Sequence, residues 1–138
     1  DRSYRRGVEW DVTWQPLPRL RITQNTAFLD AQIREFADDR DGQTYRRVFP
    51  LLSPRWILNQ TLDYQGSYGR TGKWQVGVLG RYVSESFLAN NNDRRFVTPA
   101  FFVLDMHASL TVWKQHRLGF QANNLTNRRY FTSGYVQD

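Results

Sequence analysis

Asp105, His107 and Ser109 stand at alternate positions of one short stretch, and their side chains are the parts of a nucleophilic relay. Their spacing argues against it. On a strand, successive residues of one face are about 6.6 Å apart, beyond hydrogen-bond reach for most rotamers. The trio reads as polar wall, with no catalytic residue and no enzyme activity expected. A metal centre needs more ligands than this, and the other histidine, His116, is expected in a turn. Neither a metal nor a cofactor is expected. Four arginine doublets carry a stronger signal: Arg5-Arg6, Arg46-Arg47, Arg94-Arg95 and Arg128-Arg129. Paired guanidinium groups make bidentate bonds to carboxylate, catecholate or phosphate oxygens. Phe96 and Tyr135, with Tyr45 and Tyr130, supply stacking or cation–π contacts beside them. The plainer alternative is salt bridges to Asp38, Asp39, Asp41 and Asp93. The run Asn90 to Asp93 reads as a turn before it reads as a sugar or chelate site.

Six alternating runs must position these groups. They are Val8–Trp14, Leu20–Phe28, Trp56–Tyr64, Trp74–Ser84, Phe102–Val112 and Leu118 to about Asn124. Pro16, Pro18, Pro50, Pro54 and Pro99 fall between the runs or at their ends, where strands tolerate proline. Within the runs no Asp, Glu, Lys or Arg occupies an even position. Glu9, Asp11, Arg21, Asp63, Arg81 and Asp105 are all odd. The chain has 138 residues, no cysteine, a net charge of +6 and 15% aromatic residues, so disulfide scaffolds and thiol chemistry are excluded. The basic excess raises nucleic-acid binding, but separated doublets and a strict odd/even partition leave no continuous basic face.

Two architectures alternate in this way: a soluble sandwich or barrel, and a membrane barrel with its apolar side outward. Runs of about 9–11 residues suit a tilted strand crossing the hydrocarbon layer. The links alternate short and long, as periplasmic turns and extracellular loops do. Aromatic residues gather at run ends: Trp14, Tyr64 and Trp74 by the short links, and Phe28, Trp56, Tyr82 and Phe102 by the long ones. Rings of this kind suit the two headgroup layers. A lipid-facing Lys or Arg at mid-depth costs about 2–4 kcal/mol, which accounts for an uncharged face. Gln24 and Gln60 are mild exceptions on that face. The membrane barrel is the expected fold.

The last third carries a recognisable order. Gly80-Arg81-Tyr82-Val83 precedes an Asn-rich loop, then Pro99-Ala100-Phe101-Phe102-Val103-Leu104-Asp105, then Asn123-Asn124-Leu125-Thr126-Asn127-Arg128-Arg129-Tyr130-Phe131. This succession resembles the C-terminal strands of TonB-dependent outer-membrane receptors, with their G-R-Y, P-x-F-x-x-x-D and N-N-L-x-[DN]-x-x-Y pieces. Arg6-Gly7-Val8-Glu9, followed by an alternating strand and a proline-containing turn, is similar to the family as well. Thr126 stands where the family usually has a hydrophobic residue, and Asn127 replaces its acid.

The resemblance implies an all-β, antiparallel meander of six long strands, a fragment of a 22-stranded transmembrane barrel. Residues 1–138 are expected to be a C-terminal part of such a barrel, with the plug domain, the TonB-engaging segment and the final strand outside it. It also implies a bacterial outer-membrane location and uptake of a scarce chelate, a ferric siderophore being the commonest cargo, energised through TonB. A passive porin-type channel and a structural or adhesive barrel are the alternatives. The expected partners are outer-membrane lipid and lipopolysaccharide, the receptor's own N-terminal plug, TonB and the chelate, but not nucleic acid. On this reading Arg46, Arg47, Arg94, Arg95, Phe96, Arg128, Arg129 and Tyr135 form a ligand-facing extracellular rim. Glu9, Asp11, Arg21, Asp63, Arg81, Asp105 and His107 line the lumen, toward the plug. Asn123, Asn124, Leu125 and Tyr130 are structural, satisfying backbone groups where a strand exits. Gly77 is expected to leave room for the plug wall.

Overall fold

Runs in which every second residue is apolar separate their two kinds of side chain only as extended backbone. The computed structural model describes residues 3–38, 42–89, 91–113 and 116–130, and every element in them is a strand. In chain order these are β1 (Ser3–Leu17), β2 (Leu20–Asp38), β3 (Gln43–Val48), β4 (Trp56–Tyr68), β5 (Gly72–Val83), β6 (Ser86–Phe87), β7 (Val97–Thr98), β8 (Phe101–Val112) and β9 (His116–Ala122). One antiparallel sheet runs β1-β2-β4-β5-β8-β9, while β3 pairs with the far half of β2 and β6 pairs with β7. With β3, β6 and β7 counted as parts of the long links, the six expected runs form the expected meander. The sheet is open: β1 pairs only with β2, and β9 only with β8, among the described residues.

Register turns six alternations into one surface. Trp10 lies opposite Thr26, Thr26 opposite Leu58, Leu58 opposite Tyr82, and Tyr82 opposite Phe102. Even residues meet even residues in these pairings, so a single apolar face crosses the sheet. A slip of one residue would send a strand's apolar set to the other side. Among the described residues no second layer covers this face: Trp14 is 60% exposed, Leu118 65% and Phe120 59%. A sandwich would bury such residues against a facing sheet. A broad exposed apolar surface instead marks contact with a membrane or a partner. The two polar exceptions meet each other, for Gln24 and Gln60 are direct cross-strand partners. Gln24 Nε2 also donates to Thr26 Oγ1 at 3.3 Å. Their amides form one small patch rather than two isolated costs.

Three expectations change. The strand expected to end at Phe28 continues to Asp38 and pairs with β1 and β3, so much of the long link expected between Phe28 and Trp56 is ladder. Alternation fails beyond Phe28 (Leu29-Asp30-Ala31-Gln32-Ile33), and the strand continues there by pairing with β1 and β3. His116 is not in a turn but opens β9, opposite Val112. The buried apolar cluster lies on the odd face: Val83, Phe101 and Val103, with Ile57 against them. At the long-link end that face is apolar, and Tyr130 stacks on Phe101 at 4.4 Å between ring centroids.

Candidate functional site

The odd face is a hydrogen-bonded wall. Asn25 Nδ2 donates to Asp11 Oδ1 at 2.6 Å, and Glu9 and Asp11 line a shallow cleft of about 230 Å³. Arg21 lies opposite Asp63, and Arg81 lies opposite Asn59 and Val103. His107 Nε2 is 3.1 Å from Asp63 Oδ1, and Gln75 Nε2 donates to the same oxygen at 3.2 Å. The acid near His107 is therefore not Asp105 on its own strand but Asp63, two strands away. Gly77 sits between them, where an added Cβ would come within 2.5 Å of atoms of both side chains. The room expected for a plug wall is occupied by this His–Asp pair. Sequence reasoning missed it because cross-strand neighbours are set by register. Among the described residues no three His, Cys, Asp or Glu side chains gather closely enough to hold a metal ion.

The Asn-Asn-Leu segment closes β9 back onto β8. Asn124 has φ +53°, a left-handed conformation that asparagine tolerates better than most residues. Its backbone N–H donates to Asp105 Oδ1 at 2.7 Å, and Leu125 N–H donates to the Leu104 carbonyl at 2.7 Å. The Asn124 amide spans the turn: Oδ1 accepts from Arg128 N–H at 2.9 Å, and Nδ2 donates to the Arg128 carbonyl at 3.0 Å. Asn123 Oδ1 accepts from Gln121 Nε2 at 3.0 Å. Asp105 thus holds a backbone turn, with its carboxylate engaged.

All four arginine doublets lie at the end opposite the short turns, but they do different things there. Arg6 donates through Nε and Nη2 to Asp30 Oδ2 at 3.1 and 3.0 Å, and Arg55 Nη2 lies 3.9 Å from Oδ1. The buried Asp30 is a clamp that no sequence pattern marked. Arg46 Nε lies 3.8 Å from Glu35, and Arg47 takes φ +59°. Arg95 grips Asp93, Nη2 to Oδ2 at 2.6 Å, which holds the carboxyl below its ordinary 3.8 and raises the guanidinium. Arg94 and Arg129 are exposed, and Arg128 Nη2 reaches the Ala100 carbonyl at 3.4 Å. Phe96 lies beside Arg95, whose guanidinium carbon is 5.8 Å from the ring centroid. Tyr135, Asp39, Asp41 and Asn90 lie outside the described residues.

The two long links are clasped together. Asn92 Oδ1 accepts from Phe49 N–H, and Asn92 Nδ2 donates to the Phe49 carbonyl at 2.9 Å. Phe49 stacks on Phe87, and Leu52 N–H donates to the Phe87 carbonyl at 3.0 Å. The doublets at 46–47 and 94–95 therefore belong to one folded unit.

A profile of the family described as TonB dependent receptor-like, beta-barrel, matches residues 1–125. This chain belongs to that family. Among solved structures, the TonB-dependent receptor sheet seen here is similar to BauA, the ferric preacinetobactin receptor from Acinetobacter baumannii. That match has 20% identity and a TM-score of 0.73, over 93% of this chain and 18% of BauA. It is also similar to the siderophore receptor PiuA of the same organism, at 19% identity and a TM-score of 0.73, over 96% of this chain and 19% of PiuA. The chain thus spans about a fifth of the length of either receptor. No curated protein matches it significantly. The family is one of transport receptors and implies the outer membrane, and this chain is part of its barrel.

Proposed function

We propose that this chain forms wall and outer rim of a receptor that actively takes up a scarce chelate, most simply a ferric siderophore, with energy supplied through TonB. The observation that carries this reading is the match over residues 1–125 to the receptor barrel family. The neighbours' descriptions as siderophore receptors support the choice of cargo. In this reading the even face meets outer-membrane lipid, and the odd face lines the lumen toward the receptor's own N-terminal plug. Glu9, Asp11, Arg21, Asp63, Arg81, Asp105 and His107 are its polar lining, and Asn123, Asn124, Leu125 and Tyr130 hold its rim turn. The six-strand sheet transports nothing by itself, because an open sheet encloses no channel.

The rim reading assigns capture of an anionic chelate to Arg46, Arg47, Arg94, Arg95, Phe96, Arg128, Arg129 and Tyr135. Arg94 and Arg129 are exposed, while Arg95 must exchange Asp93 for the ligand. Lipopolysaccharide phosphates would meet the same end of the barrel. The test is charge reversal at Arg94 and Arg95 in the full-length receptor, with ferric-siderophore affinity measured against salt. Weaker binding with a shallower salt slope is expected. Unchanged affinity and slope would remove this link from ligand capture. Uptake of the radiolabelled chelate should also vanish in cells lacking TonB.

A further inference from the structure

At the short-turn end the odd face carries a second charged feature. Arg19, Lys73 and Arg117 line one cleft of about 450 Å³, with Ser67, Ser109 and Thr111 between them. Lys73 lies directly opposite Thr111, and Thr111 opposite Arg117. Gln65 N–H donates to the Arg19 carbonyl at 3.0 Å, which places Arg19 beside β4. Ser67, Lys73, Thr111 and Arg117 therefore stand in one row that reads neutral, cation, neutral, cation, and Arg19, in the turn that opens β2, stands level with Gln65, two residues along β4 from Ser67. No carboxylate among the described residues pairs with any of the three cations. The acid of this face toward the turns, Asp63, is engaged by His107 and Gln75.

We propose that Arg19, Lys73 and Arg117 are a cationic ladder that binds an acidic polypeptide segment lying extended across the strands. Neighbouring strands are about 4.8 Å apart, so Lys73 and Arg117, in register two strands apart, stand on backbones about 10 Å apart, and Arg19, two strands the other way and two residues along, stands about 12 Å from Lys73. One phosphate or carboxylate covers a single rung of such an array. An extended chain advances about 3.3 Å per residue, so acids three residues apart stand about 10 Å apart and match Lys73 and Arg117, and a third acid three or four residues further on reaches Arg19. The hydroxyls of Ser67 and Thr111 and the amide of Gln65 offer donors and acceptors to the segment's backbone between charges, while Arg117 Nη2 rests on Ser109 Oγ at 3.3 Å. Guanidinium and ammonium groups then meet carboxylates in a concave, polar site, where charge-assisted bonds are strongest. Placing this end at the periplasmic mouth rests on the function proposed above, but the ladder itself does not.

The test uses the full-length receptor in native membranes, with the photo-crosslinker p-benzoylphenylalanine at Thr111. We expect an adduct with a peptide that carries at least two acids three residues apart. Its yield should fall at least tenfold in the Lys73→Glu/Arg117→Glu double variant and persist in Lys73→Arg/Arg117→Lys. Heat-modifiable migration checks that each variant folds. If the reversed variant does not, Lys73→Gln/Arg117→Gln should lower the yield about threefold, since two favourable pairs worth a few tenths of a kcal/mol each are lost. An adduct with lipid only, a peptide without acids, no adduct, or a yield indifferent to these charges overturns the ladder. The same crosslinker at Leu110, on the opposite face, should meet lipid. The same peptide from both positions overturns the two-faced wall as well.

Discussion

His107 and Asp63 face each other across β5, Nε2 to Oδ1 at 3.1 Å, over a residue that has no side chain. Gly77 lies opposite both in the ladder, and its missing Cβ is what lets two side chains from strands two apart touch. Gly77→Val should therefore destabilise the full-length protein by about 1–3 kcal/mol through overpacking. Part of that should return in the Gly77→Val/His107→Ala double variant, because the clash with the imidazole goes and the one with Asp63 Oδ1 stays. Urea unfolding of the four proteins checks it. Additive losses would show that the bridge is not what Gly77 permits.

The Asp30 clamp predicts a different non-additivity. Arg6 is largely exposed, but the carboxylate it holds is only 12% exposed. Arg6→Ala leaves a desolvated acid with the more distant Arg55, and should cost about 1–2 kcal/mol. Adding Asp30→Ala should recover part of the loss, since the uncompensated charge goes too. Thermal unfolding at low and high salt is the measurement. An Arg6→Ala variant indistinguishable from the parent would show that the contact contributes nothing.

Asn92 joins the long links through both ends of its amide, and its own φ is +55°. Two substitutions separate these contributions. Asn92→Gly keeps the left-handed backbone accessible and loses the amide, whereas Asn92→Ala loses the amide and strains the backbone. Hydrogen exchange at the Phe49 amide should quicken about five- to tenfold in Asn92→Gly, the equivalent of one hydrogen bond. It should quicken further in Asn92→Ala. Unchanged exchange in both would mean that the links are not clasped by this residue.

Asp93 gives a pH dependence whose sign follows from its contacts. The Arg95 side chain and backbone N–H both bond its carboxylate and hold its pKa below 3.8. A depressed carboxyl stabilises the turn above its unfolded pKa and loses that contribution as pH falls through the lower folded value. The turn should persist through mild acidity and loosen below the ordinary carboxylate range. In Arg95→Gln the loosening should move upward toward 3.8. Carboxyl carbon chemical shifts of Asp93 against pH report this directly.

The two-faced wall itself is open to measurement in the intact receptor. A spin label at Leu104 should be reached by oxygen dissolved in lipid, and one at Asp105 by a water-soluble relaxant. Equal accessibility of the two neighbours would contradict a barrel wall.

Alternation made the six strands and their two faces legible before any coordinates. Side-chain period in a strand is two, and charge is costly on a lipid face, so composition at even positions carries the fold. The Asn123-Asn124-Leu125 segment was legible too, because asparagine tolerates the conformation its turn requires and Asn124 bonds Arg128 close by, although its ties to Asp105 and Leu104 were not. What lay hidden was everything that depends on which strand stands beside which. Asp63 and His107 are far apart in sequence, and Arg19, Lys73 and Arg117 are single cations scattered over three segments. Asp30 sits beyond the point where alternation stops. The extension of β2 to Asp38 has no alternation to announce it, since there it follows the backbone ladders to β1 and β3. Local period and motif order were enough for the six runs, their faces and the family. The pairs, the clamps and the charged ladder come from antiparallel register, which brings residues distant in the chain to within a strand's width of one another.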